Sequence, residues 1–306
     1  MQKKEPKQEQ KQEQKQEQKE KTSEQVEAIP PTNPGRFDNI LREAQTVLNI
    51  ETSDGVTLRV NQQLNPFFSL IHTLQFGSIF KPPNYIFSSR FLTKNYAFLG
   101  DIDKKGNLSS RFFHQTTPKL LTNLFVEIEN EKKITSSGVD LEYYSADFTG
   151  KLRMQSDKSI SVSYLQSLSH PNLIGGVEVS YKGNSKKTEI RSSARYTRGN
   201  NIYSVEYSDT HAKHLSINYV KKISQRIGLA TDFIYNLETG VTHSSVGLRY
   251  HLRKSRFATL IRSSGSISTM YEELYHPLAS MKITGDINYL NNQYFFGFSL
   301  RFGPEI

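Results

Sequence analysis

Beyond residue 54 the chain alternates apolar and polar residues with a period of two, and it holds that period almost to its end. Leu215, Ile217 and Tyr219 alternate with His214, Ser216 and Asn218, and Ile160, Val162 and Tyr164 alternate with Ser159, Ser161 and Ser163. The pattern recurs at Val177, Val179 and Tyr181 against Glu178, Ser180 and Lys182, and at Met281, Ile283, Ile287 and Tyr289 against Lys282, Thr284, Asp286 and Asn288. Successive side chains of a strand point to opposite faces, so each run reads as a β-strand with one apolar face and one wet face. Turn signals separate the runs: Lys104-Lys105-Gly106-Asn107, Lys182-Gly183-Asn184, Arg198-Gly199-Asn200-Asn201 and Asn291-Asn292. The chain is a meander of hairpins.

Dividing residues 55 to 303 at such signals gives about nineteen strands of about 13 residues each, turn included, enough to cross a bilayer at a tilt. A meander this long closes on itself, because an open edge in lipid leaves backbone groups without partners. A soluble β-sandwich also alternates, but its central strands are apolar on both faces. Nearly every strand here keeps a polar face, as a water-filled lumen requires. The chain has 16 Tyr and 18 Phe, and many fall at strand ends, as at Tyr143-Tyr144, Tyr250 and Tyr289, where membrane interfaces favour amphipathic rings. A mean hydropathy of -0.57 agrees with a barrel that turns only alternate residues to lipid. No run approaches the roughly 18 to 20 apolar residues of a spanning helix, and no apolar core of a secretory leader follows the N-terminal charges. The expected fold is all-β, a transmembrane barrel of about nineteen strands over residues 55–303, closed before a short C-terminal end at 304–306.

Residues 3 to 25 are almost entirely Lys, Gln and Glu, with KQEQ repeating from Lys7 to Gln18. The period of four stacks like charges at i, i+4, which opposes a helix, so residues 1–30 read as a disordered tail. Residues 1 to 30 hold seven Lys and seven Glu, so the whole net charge of +9 lies beyond them. Breakers at Pro30-Pro31 and Asn33-Pro34-Gly35 end the tail. Phe37, Ile40, Leu41, Ala44, Val47 and Leu48 then follow the spacing of an amphipathic helix, so residues 31–54 read as a linker and helix.

Without Cys there is neither a disulfide nor a thiolate site, and the eight His lack a ligand-like spacing. No nucleophile-base pair or phosphate loop stands out, so no enzymatic activity, no cofactor and no metal are expected. The basic balance suits an anionic partner. A nucleic-acid binder would cluster its aromatic residues on a polar face; here they share the apolar parity of the strands, which excludes nucleic acid as the expected partner.

The residues Asn33-Pro34-Gly35, Leu99-Gly100-Asp101-Ile102-Asp103 with Gly106, Asp140-Leu141-Glu142-Tyr143 with Asp147-Phe148-Thr149, Tyr164-Leu165-Gln166-Ser167 with Gly175-Gly176, and Gly297-Phe298-Ser299-Leu300-Arg301-Phe302-Gly303 resemble the eukaryotic mitochondrial porin superfamily. Within it they resemble the channel subunits of the outer-membrane protein translocase. The resemblance implies a nineteen-stranded barrel in the mitochondrial outer membrane, with parallel first and last strands and a helix inside the pore. It also implies import of nuclear-encoded precursor proteins, contact with outer-membrane lipid, and a multi-subunit complex of receptors, other subunits and more than one pore. The sister branch, the anion-selective metabolite pore, shares the fold but lacks these motifs. A bacterial porin would carry a signal peptide and usually an even strand number. The last strand resembles the family's barrel-insertion signal at Gly297, Leu300 and Phe302, while the signal's polar position falls on Phe295. An odd strand number puts the start of the first strand and the end of the last on opposite sides, so a helix threading the lumen returns the N-terminus to the side of the C-terminus.

Targeting segments of mitochondrial precursors are amphipathic and Arg-rich. By strand parity, Glu127 and Glu129 share a wet face, Asp140 and Glu142 do so on the next strand, and Asp147 follows on the third. These five carboxylates are the expected channel-lining contacts, with Phe125 and Tyr144 engaging the apolar face of the targeting segment.

Overall fold

A computed structural model describes residues 33–304 apart from 79–81, 130–134, 169–171 and 211–212. The tail at residues 1–30, like the C-terminal pair 305–306, lies outside the described residues.

The alternation becomes nineteen strands among the described residues. They are β1 (Gly55–Asn65), β2 (Phe68–Phe76), β3 (Asn84–Leu92), β4 (Tyr96–Asp103), β5 (Leu108–Thr117) and β6 (Leu120–Ile128). The chain continues through β7 (Ser136–Tyr144), β8 (Phe148–Gln155), β9 (Ile160–Ser167), β10 (Leu173–Lys182), β11 (Lys187–Arg198), β12 (Asn201–Ser208) and β13 (His214–Lys222). It ends with β14 (Ile227–Asn236), β15 (Thr242–His251), β16 (Ser255–Arg262), β17 (Ser266–His276), β18 (Ala279–Asn288) and β19 (Gln293–Phe302). Every consecutive pair is antiparallel, as short hairpin connections require. All four turn signals fall between strands, and Gly106 takes φ +84°, the left-handed conformation its turn needs.

β1 and β19 close the sheet as a parallel pair, in register from Gly55 opposite Gly297 to Val60 opposite Phe302. An odd number of strands dictates this, because an antiparallel meander returns to its start running in the starting direction. The closed sheet has no edge to satisfy in lipid. The outward parity carries the exposed apolar residues, among them Val162, Tyr164, Val177, Val179, Ile217 and Ile283, while Ser163, Ser216, Asn218 and Thr284 are buried on the opposite face.

The residues before β1 form a 3-10 turn (Phe37–Asn39) and a helix α1 (Arg42–Leu48). A single helix over 37–48 was the expectation; Ile40 and Leu41 instead join two short pieces. The curved wall explains the break. Phe37 and Ile40 bury against β9, whereas Ala44 and Val47 bury against β12, β13 and β14, and one straight helix cannot follow that arc.

Candidate functional site

The inner wall is polar by parity, but among the described residues three apolar islands interrupt it, and each receives a piece of the N-terminal segment. Phe37 and Ile40 bury against Leu165, with Leu41 and Ile174 packed alongside. Ala44 and Val47 bury against Ile202, Val220 and Ala230. Ile50 buries against Ala258, Leu260 and Met270, and Leu48 packs on both this island and the preceding one. Fully burying a side chain such as Val47 contributes about 1.5–3 kcal/mol, so three islands hold the segment firmly.

Polar ties run along the same path. Asn33 accepts a hydrogen bond from Thr149 Oγ1 at 3.2 Å and donates to the Phe148 carbonyl at 3.4 Å. Arg36 pairs with Glu142. Asp38 accepts hydrogen bonds from Lys151 at 2.8 Å and Arg191 at 3.0 Å, and the Arg191 guanidinium stacks 4.8 Å over the Phe37 ring. Glu43 pairs with Arg195 at 2.6 Å and Glu51 with Lys282 at 3.4 Å. The segment is a belt along the wall from β7 to β19, and it enters at the β7–β8 turn, the end of the barrel where β19 also finishes. Burial by itself would raise the Asp38 carboxyl, but the Lys151 ammonium and Arg191 guanidinium outweigh it and hold the group below its usual value.

The five carboxylates do not form one continuous stripe. Asp140 is fully buried and holds Arg153 through two hydrogen bonds, 2.7 and 2.9 Å, with Lys151 at 3.8 Å. Glu142 is 1% exposed, between Arg36, Lys151 at 3.7 Å and the Tyr144 hydroxyl, which donates to it at 2.6 Å. Asp147 lies in the turn before β8, and Glu129 just past the end of β6. Glu127 faces the lumen 45% exposed, with Arg111 at 3.7 Å. The register sets Asn123, not Glu127, opposite Asp140, so Glu127 stands four residues along the wall, about 13 Å away. Phe125 lies over Gly138, with the Arg153 guanidinium 5.8 Å from its ring centre. Tyr144 is tied to Glu142 and is half-buried.

The wall on the far side of the lumen carries Arg59, Arg90, Arg256, Lys282 and Arg301 against Asp101, Glu272 and Glu51. Leu300 and Phe302 have the outward parity, opposite Leu58 and Val60 of β1. Gly297 has the inward one, and a Cβ there would collide with Ser53, where the belt turns into β1. Phe295 shares that inward parity, opposite Asp286.

Sequence reasoning passed over the cations that neutralise the acidic wall. The short turn after Tyr144 sets the hairpin register, which puts Asp140 opposite Arg153 and Glu142 opposite Lys151; that arithmetic is available from the residues alone. The apolar islands also left a signal: Leu165, Ile202, Val220 and Leu260 sit on the wet parity of their strands. The Arg36–Glu142 contact spans 106 residues and left no local trace.

The model of the eukaryotic porin family matches residues 33–297, from the start of the belt to the close of the barrel. The chain belongs to the eukaryotic porin family. Similar family members include a probable mitochondrial import receptor subunit TOM40-2 of Arabidopsis thaliana, 25% identical over 87% of this chain and 89% of its own length. A mitochondrial import receptor subunit TOM40 homolog of Mus musculus is 25% identical over 89% of this chain and 78% of its own length. A mitochondrial import receptor subunit tom40 of Neurospora crassa is 23% identical over 88% of this chain and 82% of its own length.

Proposed function

We infer that this chain is the protein-conducting channel of the mitochondrial outer membrane, through which nuclear-encoded precursor proteins are imported. One observation carries the reading: a closed nineteen-stranded barrel of the porin family is alike, nearly end to end, to import subunits of a plant, an animal and a fungus. The metabolite-pore branch shares the fold, but the relatives named above are import subunits. Membership of a translocase complex follows from the same relatives, and precursors, receptors and neighbouring subunits are the partners proposed for it.

For precursor contact, the accessible carboxylates Glu127 and Glu129 at one rim and Asp147 at the other attract the basic face of a targeting segment, while Phe125 offers an apolar surface. Asp140, Glu142 and Tyr144 serve the same wall indirectly by holding Arg36 and the belt. Each contact with a moving chain is weak, of the order of 1 kcal/mol in a hydrated pore, so that it binds and releases. Gly297, Leu300 and Phe302 act in barrel insertion, the glycine by admitting Ser53 and the other two by facing lipid. The reading is tested by conductance of the purified chain in planar bilayers with a presequence peptide. Block by the amphipathic peptide but not by a scrambled peptide of equal charge supports it. Equal block by both, or none, overturns it.

A further inference from the structure

Between α1 and the wall of β13, β14 and β15 lies a cavity of about 570 Å³. Its rim carries Arg42, Lys222, Arg226, Arg249 and His251, while its one carboxylate, Glu43, is already paired with Arg195. Among the described residues, no salt bridge joins any of those five to a carboxylate. The Arg249 Nε is buried with no hydrogen-bond partner, although a buried guanidinium donor normally has one. Among the described residues its guanidinium makes one long hydrogen bond, 3.4 Å, from a terminal nitrogen to the Asn49 carbonyl at the end of α1.

The register explains how the cations face one another. Lys222, Gly228 and Arg249 occupy one row across three strands, so the two cations flank a residue without a side chain. Strands are spaced about 4.8 Å apart, which sets those two backbones about 10 Å apart, room for a tetrahedral anion between their side chains. Val47 and Val220 make one wall of the cavity apolar. Gathering cations without counter-charges costs free energy through mutual repulsion, and an anion relieves it.

We propose that this cavity binds a phosphoryl group, with the cations of Lys222 and Arg249 as its principal contacts and Arg42 and Arg226 closing over it from the helix and the β13–β14 turn. Arginine suits such a ligand because its fork donates two parallel hydrogen bonds to one phosphate. A bound phosphoryl would pin α1 to the wall that it packs against. The site is separate from the import reading: a channel without it still passes precursors.

The test uses the full chain in phosphatidylcholine nanodiscs, titrated calorimetrically with inorganic pyrophosphate. Wild type is expected to bind at one saturable site. The variant Lys222→Gln/Arg249→Gln is expected to bind at least tenfold more weakly, and the charge-preserving Lys222→Arg/Arg249→Lys to keep most of the affinity. Arg59→Gln/Arg301→Gln removes equal charge from the far wall and is expected to stay within twofold of wild type. All three variants are first checked for unchanged conductance, so that misfolding is not read as lost binding. A second arm adds phosphatidylglycerol to the discs: if pyrophosphate binding disappears, a lipid headgroup is the resident phosphoryl, and if it persists, a soluble anion is. The proposal is overturned if wild type shows no saturable binding, or if both charge-removing variants weaken it equally.

Discussion

Replacing Gly297 by alanine adds a single methyl group, yet the belt leaves no room for it. The new Cβ would stand 2.6 Å from the Ser53 carbonyl carbon, where real Cβ contacts stay beyond 3.0 Å, and closer still to the Ser53 oxygens. Ser53 must move. It is held by its N–H donating to Thr284 Oγ1 at 3.1 Å, by the Thr284 hydroxyl donating to its carbonyl at 3.1 Å, and by a hydroxyl contact of 3.2 Å. Losing two or three hydrogen bonds costs about 1 kcal/mol each, and overpacking adds about 1–3 kcal/mol, so the expected loss is about 3–6 kcal/mol. The site is sensitive because Gly297 faces Gly55 in the first rung of the closing pair. Urea unfolding of the chain refolded in lipid vesicles, followed by circular dichroism, measures the difference. The decisive comparison repeats the substitution in a chain lacking residues 33–54, where the three nearest atoms, all of Ser53, are gone and Gly297→Ala should cost far less. A loss below about 0.5 kcal/mol in the full chain would refute the steric argument, and so would equal losses in both backgrounds.

Four other outcomes are expected. Leu300→Lys puts a charge on the lipid face and costs up to about 2–4 kcal/mol at mid-depth, so failure to lower stability in vesicles would show that β19 faces the lipid differently. Glu127→Gln/Glu129→Gln should weaken presequence-peptide block at low salt and flatten its salt dependence, whereas Asp140→Asn should loosen the belt by disturbing Lys151, which joins Asp140 to Asp38; equal effects on block would contradict the division between them. The Asp38 carboxyl is depressed in the folded chain, so its contribution is present above its unfolded value of about 3.8 and is lost as pH falls through the folded value. Protease access to the belt should therefore rise below about pH 4 in wild type and much less in Asp38→Asn. Deleting residues 1–28 should leave conductance unchanged, and loss of the pore would give the tail a role in insertion.

The barrel was legible because one period governs most of the chain: from Leu58 through Ile217 to Leu300, most residues of outward parity are apolar. Strand number and closure followed from hairpin signals and from the absence of water in the membrane. The belt was legible only as an apolar spacing. Where it docks depends on Leu165, Val220 and Leu260, single apolar residues on wet faces, which look like noise until a partner covers them. The acidic wall was misjudged in its availability for the same reason. Parity says that Asp140 and Glu142 point inward, but Asp140 is covered by Arg153 and Lys151 of the next strand, and Glu142 by Lys151 and by Arg36, a residue more than a hundred positions earlier.

Charge on that wall decides how the lumen can attract a basic segment. Asp38, Asp140, Glu142 and Glu178 are met by Arg36, Lys151, Arg153 and Arg191, all within 4 Å contacts of one another, so the cluster presents four charges of each sign. At a distance such a cluster is close to neutral, and its strength is spent on fixing the belt. Steering therefore falls to carboxylates outside it. Glu127, whose one salt bridge among the described residues is a 3.7 Å contact with Arg111, keeps nearly half its side chain in water, where the attraction is weak and screened within about 8 Å at physiological salt. That weakness suits a conduit: a passing chain meets a charge it can leave, while the strong pairs stay occupied by the protein's own N-terminal segment.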